Sequence, residues 1–399
     1  MKSKWLYLLV CCSLLGMLLA PGTYEKAEAA PPGISTNAVG ASLVDVASGR
    51  VLYSVKGDTP MRIASLTKIM TAIIAIEEGN LDDMVTVSRN AAGKEGSSIY
   101  LKLGEKMRLH DMLYGLMLRS GNDAATAIAE HIGGSVDGFV YLMNEKAKML
   151  GMDHSHFTNP SGLDEGEGHR SSPNDMAKLT AYALKNSVFQ EIVSTKLKKV
   201  PNPNEAWDYS WLNKNKMLSL FEGADGVKTG YTKLAKRCLV SSATRGGQQL
   251  VVVTLNDGDD WADHGRLLQY GFTYFPLKTV VKKGDPIEGT NFVAGNTFMY
   301  PLAEGETEKL TFRTTLTDPL STNYRLAERG TVQFSLGGKP IQSIPLYEKG
   351  SPLLEKPSQS SFSFQPSQPY KEKWYTQYGF AIRALIEHLF SISGSPWAD

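Results

Sequence analysis

The 399-residue chain has little cysteine: it carries three, and two of them, Cys11 and Cys12, fall in a segment that does not read as part of the folded protein. It also has almost no net charge, with 42 basic residues against 41 acidic ones and no acidic or basic tail. Neutralising phosphates takes an excess of Lys and Arg on one face, so this balance excludes nucleic acid as a partner. Its one long apolar run, Trp5 to Ala20, is slightly shorter than the roughly 20 residues a spanning helix needs. Lys2 and Lys4 precede that run, and the small residues of Ala27-Glu28-Ala29 follow it where a signal peptidase reads them. This three-part pattern predicts a removable secretory signal over residues 1–29. Cleavage after Ala29 leaves equal numbers of acidic and basic residues and only one thiol, Cys238. An intramolecular disulfide is then excluded, so the fold must be held by its core. Cys238 lies in the apolar run Cys238-Leu239-Val240, which predicts a buried structural thiol and not a nucleophile.

What is present is organised in two styles. Ala41 to Val55 alternates like two short strands joined at Ser48-Gly49. From Ser65 the period changes: Ile69, Ala72, Ile73 and Ile76 recur at helical spacing until Gly79-Asn80. Further helices are predicted over Leu109–Leu118, Ala124–Ile132, Val136–Leu150 and Pro173–Lys185. Strands return at Cys238–Thr244 and Gln249–Leu255, and a helix over Asp260–Phe275 follows. Strands at both ends with helices between them predict an α/β unit over 30–276 in which the two ends share one sheet. Residues 277–352, with short β-type runs such as Lys309–Leu316 and Thr331–Leu336, read as a small all-β domain. A Ser- and Pro-rich linker over 353–370 precedes an amphipathic helix over 371–393, whose apolar positions include Trp374, Tyr378, Ile382, Leu385 and Leu389. Its place after a linker predicts contact with a membrane surface.

Three short motifs occur in order: Ser65-Leu66-Thr67-Lys68, Ser120-Gly121-Asn122 and Lys228-Thr229-Gly230. The first two patterns arise by chance about once in a chain this long, the third only about a tenth of a time, so the ordered set carries the signal. Ser65 opens a strong helix, Ser120 sits in the break between two helices, and Lys228-Thr229-Gly230 leads into a strand. A three-residue spacing puts the Lys68 amine on the same helix face as the Ser65 hydroxyl. A serine needs a base to take its proton, and a lysine serves only if burial or a neighbouring cation lowers its pKa; Lys228 is the candidate cation. The amino terminus of a helix under Ser65 offers unpaired N–H groups to developing negative charge.

These motifs resemble those of the penicillin-recognising serine enzymes. The closer likeness is to the D-alanyl-D-alanine carboxypeptidases, the low-molecular-weight penicillin-binding proteins. It is carried by Arg62–Thr71, Arg119–Ala125, Asn159-Pro160-Ser161-Gly162-Leu163 and Gly226–Thr232, and runs from about residue 36 to 275. The resemblance implies a β-lactamase/transpeptidase-like catalytic domain: an antiparallel sheet with helices on both sides and a helical lobe. It implies Ser65 as acylated nucleophile, Lys68 as general base and Ser120 as relay of the proton to the leaving amine. Asn122 would hold the substrate amide, Lys228 and Thr229 the terminal carboxylate, and the N–H groups of Ser65 and Tyr231, beside Gly230, would form the oxyanion hole. The implied substrate is a peptidoglycan stem peptide ending in D-Ala-D-Ala, with β-lactam antibiotics as covalent inhibitors, no metal or organic cofactor, and action outside the cytoplasmic membrane. A β-lactamase, a transpeptidase or a non-catalytic wall sensor are the alternatives. Where many members have Ala-Gly after the third motif, this chain has Ala235-Lys236-Arg237, and Gly230–Arg237 looks more like the sporulation-associated branch.

Other candidates read differently. His154 and His156 alternate like metal ligands, but no further His or Cys lies at zinc spacing, which predicts a surface loop. Glu165 and Glu167 lack the Glu-to-Asn spacing of a class A β-lactamase, and Gly121 stands where its motif has Asp, so efficient penicillin hydrolysis is not expected. Trp261 is expected to fill a core.

Overall fold

The hairpin expected at the start forms the edge of the main sheet. The computed structural model describes residues 31–355, so the secretory signal over 1–29, the helix over 371–393 and nearly all of the linker lie outside the described residues. Strands β1 (Gly40–Asp45) and β2 (Val51–Val55) pair antiparallel. The Asp45 carboxylate accepts from both the amide and the hydroxyl of Ser48 in the turn. Next come α1 (Lys68–Glu78) and a short hairpin of β3 (Met84–Thr86) and β4 (Lys106–Arg108). The helical lobe continues with α2 (Leu109–Arg119), α3 (Asn122–Gly133), α4 (Val136–Met149), α5 (Pro173–Ala183) and α6 (Ser187–Ser194). Side chains start three of these helices where the sequence supplies a cap: Ser135 for α4, Ser172 followed by Pro173 for α5, and Asn186 for α6. A hairpin of β5 (Leu197–Val200) and β6 (Tyr209–Leu212) leads to the meander β7 (Ala224–Thr232), β8 (Lys236–Arg245) and β9 (Gln248–Leu255), then to α7 (Asp260–Tyr274).

The main sheet has the order β2-β1-β9-β8-β7, every neighbour antiparallel, so the two ends of this part of the chain meet as β1 against β9. Period-two alternation along β9 decides which core each side chain joins. Leu250 and Val252 point to the α7 side, with Leu43, Leu239, Leu267 and Leu268. Val251, Val253 and Leu255 point to the helical lobe, where α1 is buried along nearly its whole length. Full burial of one such aliphatic side chain is worth about 1.5–3 kcal/mol, which accounts for a fold that needs no cross-link. Cys238 is a buried free thiol within this core, its pKa pushed up to about 12 by burial.

The third motif lies inside β7 and does not merely lead into a strand. Because β7 is the sheet's edge, one side of that motif stays open to the helical lobe. After α7 the chain forms β10 (Leu277–Val281), β11 (Phe292–Ala294), β12 (Phe298–Pro301), β13 (Leu310–Leu316), β14 (Gly330–Leu336) and β15 (Lys339–Glu348). Four of them make a sheet in the order β11-β15-β14-β13 over a core of its own that includes Phe298, Val332, Phe334, Ile344 and Leu346. A 3-10 turn, Thr307–Lys309, and one turn of α-helix, Thr322–Arg325, interrupt the strands. Arg50, from the first hairpin, reaches this region: it pairs with Glu306 at 2.6 Å and lies over the rings of Phe275 and Tyr300. Among the described residues no helix is long and apolar enough to cross a membrane.

Candidate active site

The serine of the first motif sits on a 3-10 turn, Ala64–Thr67, that feeds directly into α1. Ala64 takes φ 47, a left-handed conformation that costs an alanine about 1–2 kcal/mol and is kept only where its surroundings hold it. No side chain caps either the turn or α1, so the Ser65 hydroxyl is not spent as a helix cap. Gly230 of β7 lies against this turn: a Cβ there would stand 3.2 Å from both the Ser65 amide nitrogen and Ala64 Cβ. Glycine therefore lets the strand edge come up to the serine backbone.

Lys68, fully buried on the first turn of α1, lies with Nζ 3.1 Å from Ser65 Oγ, 2.7 Å from Asn122 Oδ1 and 2.6 Å from the Ser161 carbonyl. Burial first, then repulsion from Lys228 and Lys214, hold its pKa well below the ordinary lysine value. A neutral amine has two N–H bonds and one lone pair. Both N–H bonds are taken, by Asn122 Oδ1 and the Ser161 carbonyl, so the lone pair is left facing Ser65 Oγ. The Asn122 amide is itself oriented by donating from Nδ2 to the Glu95 carbonyl at 2.6 Å.

The second motif occupies the junction of two helices. Ser120 ends α2 in the left-handed region (φ 66), and Asn122 begins α3. Ser120 is buried, and among the described residues nothing hydrogen-bonds its hydroxyl. On β7, Lys228 is 1 % exposed and its Nζ donates to the Thr229 carbonyl at 2.9 Å. Burial, then Lys214, push its pKa down to about 7. Lys228 and Lys214 both disfavour the charged form of Lys68. Thr229 is half-buried and Tyr231 is exposed at the open end of the strand.

Direct bonds thus join Ser65, Lys68 and Asn122, contact joins Gly230 to the turn, and charge couples Lys228 to Lys68. Three contributors escaped sequence reasoning. Lys214, which hydrogen-bonds Ser97 Oγ at 3.3 Å, is a second cation acting on Lys68. Asn159 folds the 159–163 loop by accepting at Oδ1 from the amides of Ser161 and Gly162, which turns the Ser161 carbonyl toward Lys68. His169 bonds Thr67 inside the first motif. Only Asn159 and Ser161 had a signal, as part of a stretch quoted for its resemblance.

The remaining candidates stay outside. His154 and His156 are exposed, as are Glu165 and Glu167. Among the described residues no group of three His, Cys, Asp or Glu side chains is placed to hold a metal ion. Trp261 packs beside the α7 core, and Arg237, ion-paired with Asp260, lies over its ring.

A family model described as D-alanyl-D-alanine carboxypeptidase, of the S11 peptidases, matches residues 25–259. The chain belongs to this family of serine peptidases. Its relatives include D-alanyl-D-alanine carboxypeptidase DacF of Bacillus subtilis, 34% identical over 69% of this chain and 73% of the relative. DacC of Escherichia coli, also 34% identical, spans 82% of this chain and 87% of its own length. Among solved structures, penicillin-binding protein 5 of Haemophilus influenzae superposes with a TM-score of 0.66 at 28% identity, over 79% of this chain and 97% of that one. For this family member the three motifs, the antiparallel sheet and the helical lobe are what the sequence led us to expect.

Proposed function

We propose that this chain releases the terminal D-alanine from peptidoglycan stem peptides ending in D-Ala-D-Ala, through an acyl-enzyme on Ser65. The observation that carries the reading is the Lys68 amine, buried, depressed in pKa and with both N–H bonds engaged, 3.1 Å from the Ser65 hydroxyl. Ser65 Oγ attacks the carbonyl carbon of the penultimate residue while its proton passes to Lys68. The oxyanion that forms is met by the N–H groups of Ser65 and Tyr231, the kind of preorganised donor worth about 10²–10³ in rate. As the tetrahedral species collapses, the C–N bond breaks and Lys68, through Ser120, returns the proton to the departing D-alanine amine. Asn122 holds the substrate amide, and Lys228 with Thr229 binds the terminal carboxylate. Water then repeats the sequence on the ester and frees Ser65. In a β-lactam the broken C–N bond is part of a ring, so the amine stays tethered and the ester on Ser65 is retained.

The substrate would place this activity outside the cytoplasmic membrane, in line with the signal pattern over 1–29 and the amphipathic pattern over 371–393. The β region over 277–352 is read as a separate platform beside the catalytic part. Lys236 and Arg237 support the sporulation-associated branch by sequence likeness. Arg237 is held by Asp260 and Trp261, so its side chain leaves the three motifs intact.

Mass spectrometry of the penicillin adduct, with the products from a defined pentapeptide in the presence and absence of an acceptor amine, tests the reading. An adduct on Ser65 and free D-alanine are expected, and Ser65→Ala should abolish both. An adduct elsewhere would overturn the nucleophile. Amide products without hydrolysis would favour a transpeptidase, and no product at all a wall sensor.

A further inference from the structure

Thr67 stands between the nucleophile and the base, yet its hydroxyl faces neither. It donates to the Ala64 carbonyl at 2.9 Å, and the same oxygen lies 2.7 Å from His169 Nε2. The other ring nitrogen, Nδ1, accepts the Thr158 backbone N–H at 3.1 Å. A backbone N–H has only a proton to offer, so Nδ1 carries the lone pair and the ring proton sits on Nε2, aimed at Thr67. Three hydrogen bonds therefore run in one direction, from the Thr158 amide through the imidazole and the Thr67 hydroxyl to the Ala64 carbonyl. One end of this chain opens the segment whose Ser161 carbonyl accepts a hydrogen bond from Lys68; the other holds the left-handed residue just before Ser65.

We infer that His169 is a positioning residue for acylation: as the neutral Nε2–H tautomer it locks the strained Ala64–Lys68 turn to the 158–163 segment, and so keeps the Ser65 hydroxyl in line with the Lys68 lone pair. The inference rests on Ser65 being the nucleophile, as proposed above. His169 is 3 % exposed and touches no reacting atom, which separates it from the three motifs. Its surroundings keep the ring neutral. Burial first, then His156, push its pKa down to about 4; Lys68 and Arg62 act in the same direction and Asp164 against it. A second ring proton on Nδ1 would meet the Thr158 N–H donor against donor and leave only the Thr158 hydroxyl, 3.3 Å away, to accept it, so the chain would lose its direction at that end.

The test measures the rate of acylation by a fluorescent penicillin, separately from its non-covalent affinity, in the full-length protein, with the adduct located by mass spectrometry and folding followed by thermal melting. His169→Ala and Thr67→Val should each slow the acylation step about 10–100-fold with affinity nearly unchanged, the usual cost of misplacing a reacting pair. The double variant should lose no more than the worse single one, because both cut the same chain. His169→Gln, whose amide can still donate to Thr67, and Thr67→Ser should each restore most of the rate lost by the harsher change. If His169→Ala does not fold, Thr67→Val decides alone. An adduct formed on Ser65 at the wild-type rate in folded Thr67→Val, or losses that multiply in the double variant, would refute the positioning role and leave the function untouched. An adduct on another residue would take the nucleophile and this inference down together.

Discussion

Gly162→Ala is the sharpest perturbation the site offers, since the residue changed performs no chemistry. Gly162 has φ +81, and a Cβ built there would stand 1.8 Å from the Ala64 carbonyl oxygen and 2.7 Å from Thr67 Oγ1. The left-handed backbone alone costs an alanine about 1–2 kcal/mol. No rotamer relieves the closer contact, because both the new methyl and the atom it meets belong to the backbone framework. The 159–163 loop must withdraw from the nucleophile turn by roughly 1 Å or more, a displacement that elsewhere costs about 10²-fold in rate. The Ser161 carbonyl, one residue earlier, would leave Lys68, which it now meets at 2.6 Å. The lone pair would then no longer be held toward Ser65. We expect an acylation rate down about 100-fold, equivalent to about 2.7 kcal/mol in the barrier, with a melting point lowered by the strain. Stopped-flow labelling with a fluorescent penicillin, normalised to folded protein, measures the first and calorimetry the second. A variant that acylates within about twofold of wild type with an unchanged melting point would refute the claim that this glycine seats the base.

Two further outcomes follow from the charges. Lys214→Met removes a cation that disfavours protonation of both Lys68 and Lys228, so both pKa values should rise and the basic rise of the acylation rate should move to higher pH; an unmoved pH profile would remove Lys214 from the site. Burial holds His169 near 4 and His264 near 3, against an ordinary value of 6.5. With folded values depressed, the unfolded chain takes up protons first, so stability is full above about pH 6.5 and falls as pH drops toward the folded values. The loss should reach about 4 kcal/mol for the two rings together at pH 5. Urea melts of the wild type and His264→Gln at pH 7 and pH 5 isolate one ring's share, about half of that loss; a pH dependence that His264→Gln leaves unchanged would count against a buried neutral ring.

The helix beginning at Ser65, the α2–α3 junction at Ser120 and the strands around 240–255 were legible because each announces itself over a short window: apolar spacing of three and four, a break between two periodic runs, or alternation ended by glycines. Elements of three or four residues, such as β3 to β6, carry too few alternations to show. The same limit separates the parts of the site. Ser65 and Lys68 are three apart on one turn, so their meeting is local. Lys214 and His169 act on that turn from far along the chain with no pattern near them to say so, and Asn159 showed only as part of a stretch that resembles the family. Lys228 lay between: its motif could be named, but only as the start of a strand, whereas it sits within an edge strand whose open side faces the lobe.

By itself the sequence determined the family, the pairing of Ser65 with Lys68 as candidate nucleophile and base, and the expectation of a fold held without disulfides, because these depend on residue identity and on spacings within a few turns. The tertiary structure alone decided that Lys68 is not an ordinary lysine, its pKa lowered as a base requires. Its protonation state depends on burial, on two cations from other elements, and on a carbonyl and an amide that occupy its N–H bonds. Those are through-space terms, and only the folded chain brings them to one atom.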